Sequence, residues 1–180
     1  AGPNHDGHDY VKTAIEGGAA AALVHKVPEG CEGLPLLVVD DTLAGLQALG
    51  RAARDRSAAR IVAVTGSVGK TSTKEALRVV LGAQGKTHAA EASYNNHIGV
   101  PTTLLRLKPE HDLAVIEMGA NHPGEIKFLC EIAEPDYGII TNVGKAHLEG
   151  FGSFEGVIKT KGELYDFLRK KENSTIFIHH

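Results

Sequence analysis

The chain has 180 residues, 42% of them hydrophobic, and a formal net charge of −3. That length allows one full domain or parts of two, and the apolar content supports a packed core, which excludes a disordered chain. The scattered basic residues argue against nucleic acid as a partner, no apolar run reaches bilayer length, and two distant cysteines indicate a reducing, cytoplasmic setting.

Helical and strand patterns alternate along the chain, which predicts an α/β fold with a largely parallel sheet. The predicted helices cover residues 8–16, a segment for which Asp40 or Asp41 is the candidate N-cap, 71–82, 98–106, 124–133 and 154–171. The predicted strands cover residues 21–24, 36–39, 61–65, 86–89, 113–117, 137–141 and 175–178. A charged run covers residues 51–60, and we place a domain boundary near Ala58. A doubly wound domain needs more elements than the remaining residues supply, so we expect a truncated chain.

One strand leads into a helix through a turn bounded by two glycines. The residues after the strand are Gly66, Ser67, Val68, Gly69, Lys70, Thr71 and Ser72. Glycines let backbone N–H groups turn toward a phosphate, and the helix N-terminus adds partial positive charge. In nucleoside triphosphatases the lysine of such a loop contacts the terminal phosphates and the next hydroxyl binds Mg²⁺. Val64 stands where the common motif has its first glycine, and an ordinary glycine-rich turn is the structural alternative.

Polar residues follow two later strands, at the edge where open α/β sheets bind ligands. Glu117 ends the strand 113–117 and is a candidate metal ligand beside Thr71, with a solvated acid as the alternative. His147 follows the strand 137–141, although a lone histidine is more often structural than a ligand.

Lys161 lies on the apolar face of the helix predicted over residues 154–171. The apolar stripe consists of Val157, Ile158, Leu164, Tyr165 and Leu168. Lys161 is three residues from both Ile158 and Leu164, whereas lysines usually line the opposite face. An ammonium at this position must extend to solvent, pair with an acid, or take part in chemistry.

Two further clusters combine polar side chains. Asn95 and Asn96 lie in a polar loop that enters a helix, where they either contact a polar substrate or build turns. His5 and His8 have His-x-x-His spacing, but no later pair completes a metal site, so a polar loop with a helix cap is favoured on residue chemistry alone.

Together these segments resemble the Mur ligase family, the ATP-dependent amide-forming enzymes of peptidoglycan synthesis. The segments that carry the resemblance are 65–71, 94–96 with 99–101, 117–121, 142–153 and 161–163, and residues 6–10 are similar to a segment of the family's UDP-substrate domain. The family uses the shortened phosphate loop, which accounts for Val64. The resemblance implies a three-domain protein, of which residues 1–57 match the end of the UDP-substrate domain and residues 58–180 the first part of the ATP-binding domain, without the C-terminal ligase domain.

The resemblance also implies chemistry, and it is closest to the branch of the family that joins D-alanyl-D-alanine to UDP-N-acetylmuramoyl-tripeptide through an acyl phosphate. It implies that Lys70 and the loop hold the ATP phosphates and that Thr71 and Glu117 bind one Mg²⁺. His147 is implied as a ligand of a second Mg²⁺, and Lys161 falls where the family carries a carbamylated lysine that supports a metal ion. The residues implied in nucleotide or substrate contacts are Asn142, Asn95, Asn96, Asp6 and His8.

Three alternatives remain open. Folylpolyglutamate synthase shares the central domain and the acyl phosphate chemistry, but it lacks the domain to which residues 6–8 are similar. A phosphate-loop switch or kinase has no need for His147 or for an inward Lys161. The third alternative is a nucleotide-binding remnant without catalysis. We expect a monomer, and little or no ligase activity from this chain alone.

Overall fold

The computed structural model describes residues 6–144 and 148–178. The chain divides into two compact units, residues 1–46 and 47–180, with the division inside a helix over Thr42–Asp55. The boundary expected near Ala58 stays a prediction. Within the described ranges, no helix combines the length and apolar character needed to cross a bilayer.

The first unit is a small α/β arrangement. Its elements are a 3₁₀ helix over Gly7–Tyr10, α1 (Val11–Glu16), β1 (Ala22–Val24), β2 (Leu36–Val38) and the first part of α2 (Thr42–Asp55). β1 and β2 pair in parallel, and Val24 packs with Val11 and Cys31 in a buried cluster. Asp41 accepts a hydrogen bond from the Ala44 N–H at 2.8 Å, so it caps α2 as one of the two predicted residues.

The second unit carries the predicted phosphate loop. Its further elements are β3 (Arg60–Thr65), α3 (Lys70–Gly82), β4 (Thr87–Ala89), α4 (Gly99–Leu104), β5 (Leu113–Glu117), α5 (Glu125–Ala133), β6 (Tyr137–Ile140), α6 (Leu148–Phe151), α7 (Phe154–Leu168) and β7 (Thr175–Phe177). The predicted elements are confirmed with shifts of one to a few residues at their ends. The short helix α6 was not predicted, because four residues carry too little periodicity to reveal a helix.

Five strands form one sheet in the order β4-β5-β3-β6-β7, and every pairing is parallel, which confirms the predicted α/β architecture. β3 is the central strand. Val64 pairs with Glu117 of β5, and Thr65 pairs with Ile140 of β6. The carboxyl ends of β3, β5 and β6 therefore meet at one edge of the sheet, where the phosphate loop begins.

Helices cover both faces of this sheet. Ile61 and Ala63 of β3 belong to a buried cluster with residues of α4, α5 and α7, whereas Val62 and Val64 belong to a second cluster with Leu77 of α3. Successive strand residues point to opposite faces, so a run of apolar residues is needed when both faces are covered. This arrangement holds α3 on one face and α7 on the other, both beginning near the same sheet edge.

Candidate nucleotide and metal site

The phosphate loop leaves the central strand at the edge where three strands end. Gly66 has φ of 145° and Gly69 has φ of 80°, which are backbone conformations that favour glycine. A Cβ added to Gly66 would lie 2.0 Å from Thr141 Oγ1. The loop in this form therefore requires glycine at position 66, which an ordinary flexible turn would not.

The segment after β6 holds the loop in place. Asn142 accepts a hydrogen bond from the Val68 N–H and donates one to the Val68 carbonyl, each at 3.1 Å. Thr141 Oγ1 donates to the same carbonyl at 2.7 Å, and Ser67 Oγ exchanges hydrogen bonds with the backbone of Gly144. Asn142 lies beside the loop, as predicted for a nucleotide contact, but its side chain binds the loop backbone; its contact with a nucleotide stays a prediction.

Lys70, Thr71 and Ser72 form the first turn of α3, so the positive end of this helix lies beside the loop. The Lys70 ammonium donates to the Gly66 carbonyl at 2.9 Å. This places the lysine across the loop opening, within reach of an anion bound there. Thr71 and Ser72 are exposed.

Thr71, in the first turn of α3, and Glu117, at the end of β5, lie beside each other. Thr71 Oγ1 lies 2.9 Å from Glu117 Oε2, and Asn95 Nδ2 donates to Glu117 Oε1 at 2.8 Å. Ser93 Oγ lies 3.1 Å from Thr71 Oγ1. The Glu117 side chain is only 4% exposed, so the alternative of a solvated acid is wrong.

The donor set around Glu117 suits a magnesium ion. Hydroxyl and carboxylate oxygens are the ligands that Mg²⁺ prefers, usually with waters and substrate phosphates completing the shell. Within residues 6–144 and 148–178, no three histidine, cysteine or acidic side chains cluster as a metal cage. An ion here would therefore take Thr71 and Glu117 and complete its coordination with non-protein oxygens.

Lys161 is buried on α7, with only 3% of its surface exposed. Its ammonium lies 5.5 Å from the centroid of the Phe151 ring. Burial lowers the pKa of Lys161 to about 8, and repulsion from Lys70 adds to this shift. The predicted inward position is confirmed. The predicted stripe is wrong at Ile158, which is 48% exposed, because the buried face follows Val157, Thr160, Leu164 and Leu168 instead.

One cavity of about 280 Å³ joins these groups. Residues that line it include Gly66, Lys70, Asn95, Asn96, Phe128 and Lys161. The two lysines make the cavity attractive to an anion, while the asparagines and the aromatic ring supply polar and apolar walls. The fold thus places the phosphate loop, Asn95, Asn96 and Lys161 around one cavity.

The two asparagines have different local roles. Asn95 binds Glu117, as described above, and its backbone carbonyl accepts from the Gly119 N–H at 2.7 Å. Asn96 Oδ1 accepts from the backbone N–H groups of Ile98 and Gly99 at the start of α4. The turn-building alternative is therefore confirmed for Asn96, and the substrate role of both residues stays a prediction.

Asp6 and His8 belong to the first unit. Asp6 Oδ1 accepts from the His8 backbone N–H at 3.0 Å and lies 2.6 Å from His8 Nδ1, and the His25 N–H lies 3.2 Å from His8 Nε2. These hydrogen bonds from His8 lower the pKa of Asp6 to about 2. Asp6 therefore caps the 3₁₀ helix, which confirms the predicted helix cap, and both ring nitrogens of His8 have partners in the fold. A contact of either residue with substrate stays a prediction.

His147, the predicted ligand of a second ion, lies outside the residues that the structure describes. Its role stays a prediction.

Sequence reasoning missed two residues that support the site. Lys74 of α3 is fully buried, and it shares a helix face with Leu77 and Leu81, so the apolar-stripe argument used for Lys161 would have found it. Glu163 accepts hydrogen bonds from the Gly124 and Lys127 N–H groups, at 2.7 and 2.9 Å, and so joins α7 to the start of α5. No local pattern reveals Glu163, because its partners lie far away in the chain.

The fold and the loop define an α/β nucleotide-binding protein of the phosphate-loop class, with a buried carboxylate and a buried lysine on the same cavity. Residues 64–180 match the Mur ligase middle domain. The chain therefore belongs to the Mur ligase family.

Similar proteins point to one branch of that family. The chain is 47% identical to the UDP-N-acetylmuramoyl-tripeptide–D-alanyl-D-alanine ligase of Escherichia coli, over 93% of this chain and 36% of the relative. It is 41% identical to the enzyme of the same name from Bacillus subtilis, over 98% of this chain and 39% of the relative.

Solved structures of this branch have the same fold. A crystal structure of MurF from Acinetobacter baumannii superposes with a TM-score of 0.87 at 37% identity, over 98% of this chain and 38% of that chain. MurF from Thermotoga maritima in complex with ADP superposes with a TM-score of 0.84 at 34% identity, over 98% of this chain and 40% of that chain. The chain thus spans well under half the length of the relatives it matches.

Proposed function

We propose that the full-length protein carrying this chain is an ATP-dependent ligase that joins D-alanyl-D-alanine to UDP-N-acetylmuramoyl-tripeptide in peptidoglycan synthesis. The observation that carries the proposal is the single cavity onto which the phosphate loop, the Asn95–Asn96 pair and the buried Lys161 open. The names of the relatives supply the substrates.

The proposed reaction has two steps. An oxygen of the tripeptide's terminal carboxylate attacks the γ-phosphorus of ATP, which forms an acyl phosphate and releases ADP. The amine of D-alanyl-D-alanine then attacks the acyl carbon, so that the C–N bond forms, inorganic phosphate leaves and the amine loses a proton. Both steps bring anionic groups together, so neutralising charge is the main catalytic demand.

The residues around the cavity suit that demand. In this proposal the loop N–H groups and the start of α3 bind the polyphosphate, and the Lys70 ammonium, which lies across the loop at the Gly66 carbonyl, neutralises negative charge on the transferred group. Thr71 and Glu117 would hold Mg²⁺, which when bound neutralises phosphate charge. Asn142 and Thr141 hold the loop in its binding shape.

Lys161 has a separate proposed role as the carbamylated lysine of the family. Carbamylation joins CO₂ to a neutral amine, with loss of one proton, and it replaces a buried cation with an anion. The burial of Lys161 beside Phe151, and its position on the same cavity as Lys70, favour that exchange. The product would be a carboxylate-like group able to support a metal ion, with His147 as a further proposed ligand.

The remaining parts of the proposal concern the whole protein. Residues 1–57 would be the last part of a UDP-substrate domain and residues 58–180 the first part of the ATP-binding domain. We propose a monomeric, cytoplasmic enzyme whose product supports the cell wall, and through it cell shape and division.

An ADP-release assay on the full-length protein tests the proposed function. We expect release to require both UDP-N-acetylmuramoyl-tripeptide and D-alanyl-D-alanine. Stimulation by a folate with glutamate instead would favour the folylpolyglutamate synthase class. ADP release that is independent of any carboxylate substrate would favour a simple nucleotide hydrolase or switch.

A further inference from the structure

Lys74 is the one charged side chain of the second unit's described residues that is completely buried, at 0% exposure. It lies on α3, three residues after Thr71, on the face that packs against the sheet. Burying an ammonium is costly unless each of its donors finds an acceptor. The stability of the buried Lys74 ammonium therefore depends on its hydrogen-bond partners.

The partners of Lys74 lie in the segment that follows β4. Its ammonium donates to the Ala90 carbonyl at 2.5 Å and to the Ala92 carbonyl at 3.2 Å, and it pairs with Glu75 at 2.9 Å. Three acceptors match the three donors of an ammonium. Glu75 is also held by Arg78 at 2.8 Å, and hydrogen bonds from Arg78 and Lys74 lower the pKa of Glu75.

The same segment supplies two side chains to the candidate metal site. Ser93 lies 3.1 Å from the Thr71 hydroxyl, and Asn95 donates to Glu117. Lys74 therefore connects the backbone that carries Ser93 and Asn95 to the helix that carries Thr71. Residues 90–98 form no helix or strand, so side-chain and single backbone contacts hold this segment in place, and Lys74 supplies the ones at Ala90 and Ala92.

We propose that Lys74 is a positioning residue, which holds the 90–95 segment against α3 so that Ser93 and Asn95 keep Thr71 and Glu117 in a metal-binding arrangement. It touches neither the nucleotide nor the ion and acts through the carbonyls of Ala90 and Ala92. The inference rests on the proposed nucleotide and Mg²⁺ site.

The test replaces Lys74 in the full-length protein and measures ATP binding by calorimetry with and without Mg²⁺. Lys74→Met keeps the length of the side chain and removes its donors. We expect the affinity for ATP with Mg²⁺ to fall about 10-fold or more, as for other residues that orient metal ligands, while the affinity for ATP without Mg²⁺ changes less than about twofold. Arg78→Met is the matched control, because it removes the other partner of Glu75 without touching the segment, and we expect wild-type binding.

A second measurement needs no nucleotide or metal. In the apo protein, the backbone N–H groups of Tyr94 and Asn95 are hydrogen-bonded within the segment, and Lys74→Met should make both exchange with deuterium about 10-fold faster or more. Exchange in the distant helix α7 should not change. A merely structural role would lower the melting temperature without separating these regions or altering the Mg²⁺ dependence.

Two results would overturn the inference: a folded Lys74→Met protein with wild-type Mg²⁺ dependence, or one with unchanged exchange at Tyr94 and Asn95. Should Lys74→Met fail to fold, Lys74→Gln takes its place: its amide nitrogen is one bond closer to the helix than the ammonium, so it cannot make both contacts to the Ala90 and Ala92 carbonyls, and we expect the same two changes. If the wild type binds ATP with Mg²⁺ but does not ligate the proposed substrates, the proposed function fails while Lys74 is still tested by these binding and exchange measurements.

Discussion

Gly66 is a position at which one methyl group decides whether the phosphate loop can form. A Cβ there would lie 2.0 Å from Thr141 Oγ1, and φ is 145°. Gly66→Ala must therefore displace either the loop or the segment after β6, and the N–H groups of the loop lose their common direction. We expect the affinity of the full-length protein for ADP to fall about 10-fold or more, measured by calorimetry.

Gly82 at the end of α3 is the matched control for this change. A Cβ at Gly82 meets no atom within 4 Å, so Gly82→Ala should leave ADP affinity unchanged. It should also raise stability slightly, because alanine favours a helix over glycine by up to about 1 kcal/mol. Equal ADP affinities for Gly66→Ala and Gly82→Ala would contradict the loop geometry.

Lys161 leads to a pH-dependent prediction. Its pKa is lowered to about 8 from an ordinary 10.5, so at pH 7.5 the neutral amine is more abundant than on a free lysine by about two orders of magnitude. Only the neutral amine reacts with CO₂, so carbamylation at constant dissolved CO₂ should increase between about pH 7 and 9. Carbon-13 NMR of the full-length protein with labelled CO₂ would detect the carbamate.

The Lys161→Arg variant is the control for that signal, because it keeps the positive charge and removes the amine. We expect the carbamate resonance to disappear in this variant, although it retains all the other lysines, including the exposed ones. A wild-type spectrum without the resonance at pH 9 would refute carbamylation at this position.

At the scale of elements, Asp136 joins three parts of the second unit. Its carboxylate accepts from the Ile61 N–H and Lys171 ammonium, each at 2.8 Å, and from Arg54 at 3.3 Å. These partners lie at the start of β3, beyond the end of α7 and near the end of α2. Asp136→Ala leaves the Ile61 N–H without its acceptor and removes one charged partner each from Lys171 and Arg54, which keep hydrogen bonds to backbone carbonyls. We expect a loss of about 2 kcal/mol in the free energy of unfolding, measured with urea.

Asp166→Ala is the corresponding surface change. Asp166 pairs with Arg169 at 2.9 Å, but both side chains are more than 60% exposed. An exposed pair of this kind contributes little, so we expect a change within about 0.5 kcal/mol. Equal losses for the two variants would show that Asp136 does not connect the elements as described.

At the scale of the whole molecule, the chain spans 36 to 40% of the relatives described above. Acyl phosphate chemistry needs a site that closes around both substrates and keeps water away. We expect the 180-residue chain alone to show no ADP release that depends on D-alanyl-D-alanine, in contrast to the full-length protein. Turnover of the short chain close to that of the full-length protein would contradict this expectation.

The sequence alone was enough to predict the features that depend on neighbouring residues. The parallel α/β fold, the phosphate loop and the inward position of Lys161 each follow from local patterns: alternating periods, glycines at a strand-to-helix turn, and a stripe on one helix face. The same kind of pattern placed Ile158 on the buried face of α7, whereas the structure has it exposed. An apolar residue at the edge of such a stripe does not determine how the helix is rotated against the sheet.

Only the tertiary structure decided which of these residues meet. Thr71 and Glu117 are 46 positions apart and come within 2.9 Å because β3 and β5 are neighbours, and strand order is not written in any local period. The same holds for Asn142, which binds the backbone of the phosphate loop across β3 and β6, and for the carbonyls that receive Lys74. Local residue chemistry is sufficient to form the elements and the loop, whereas the site depends on which strands lie side by side.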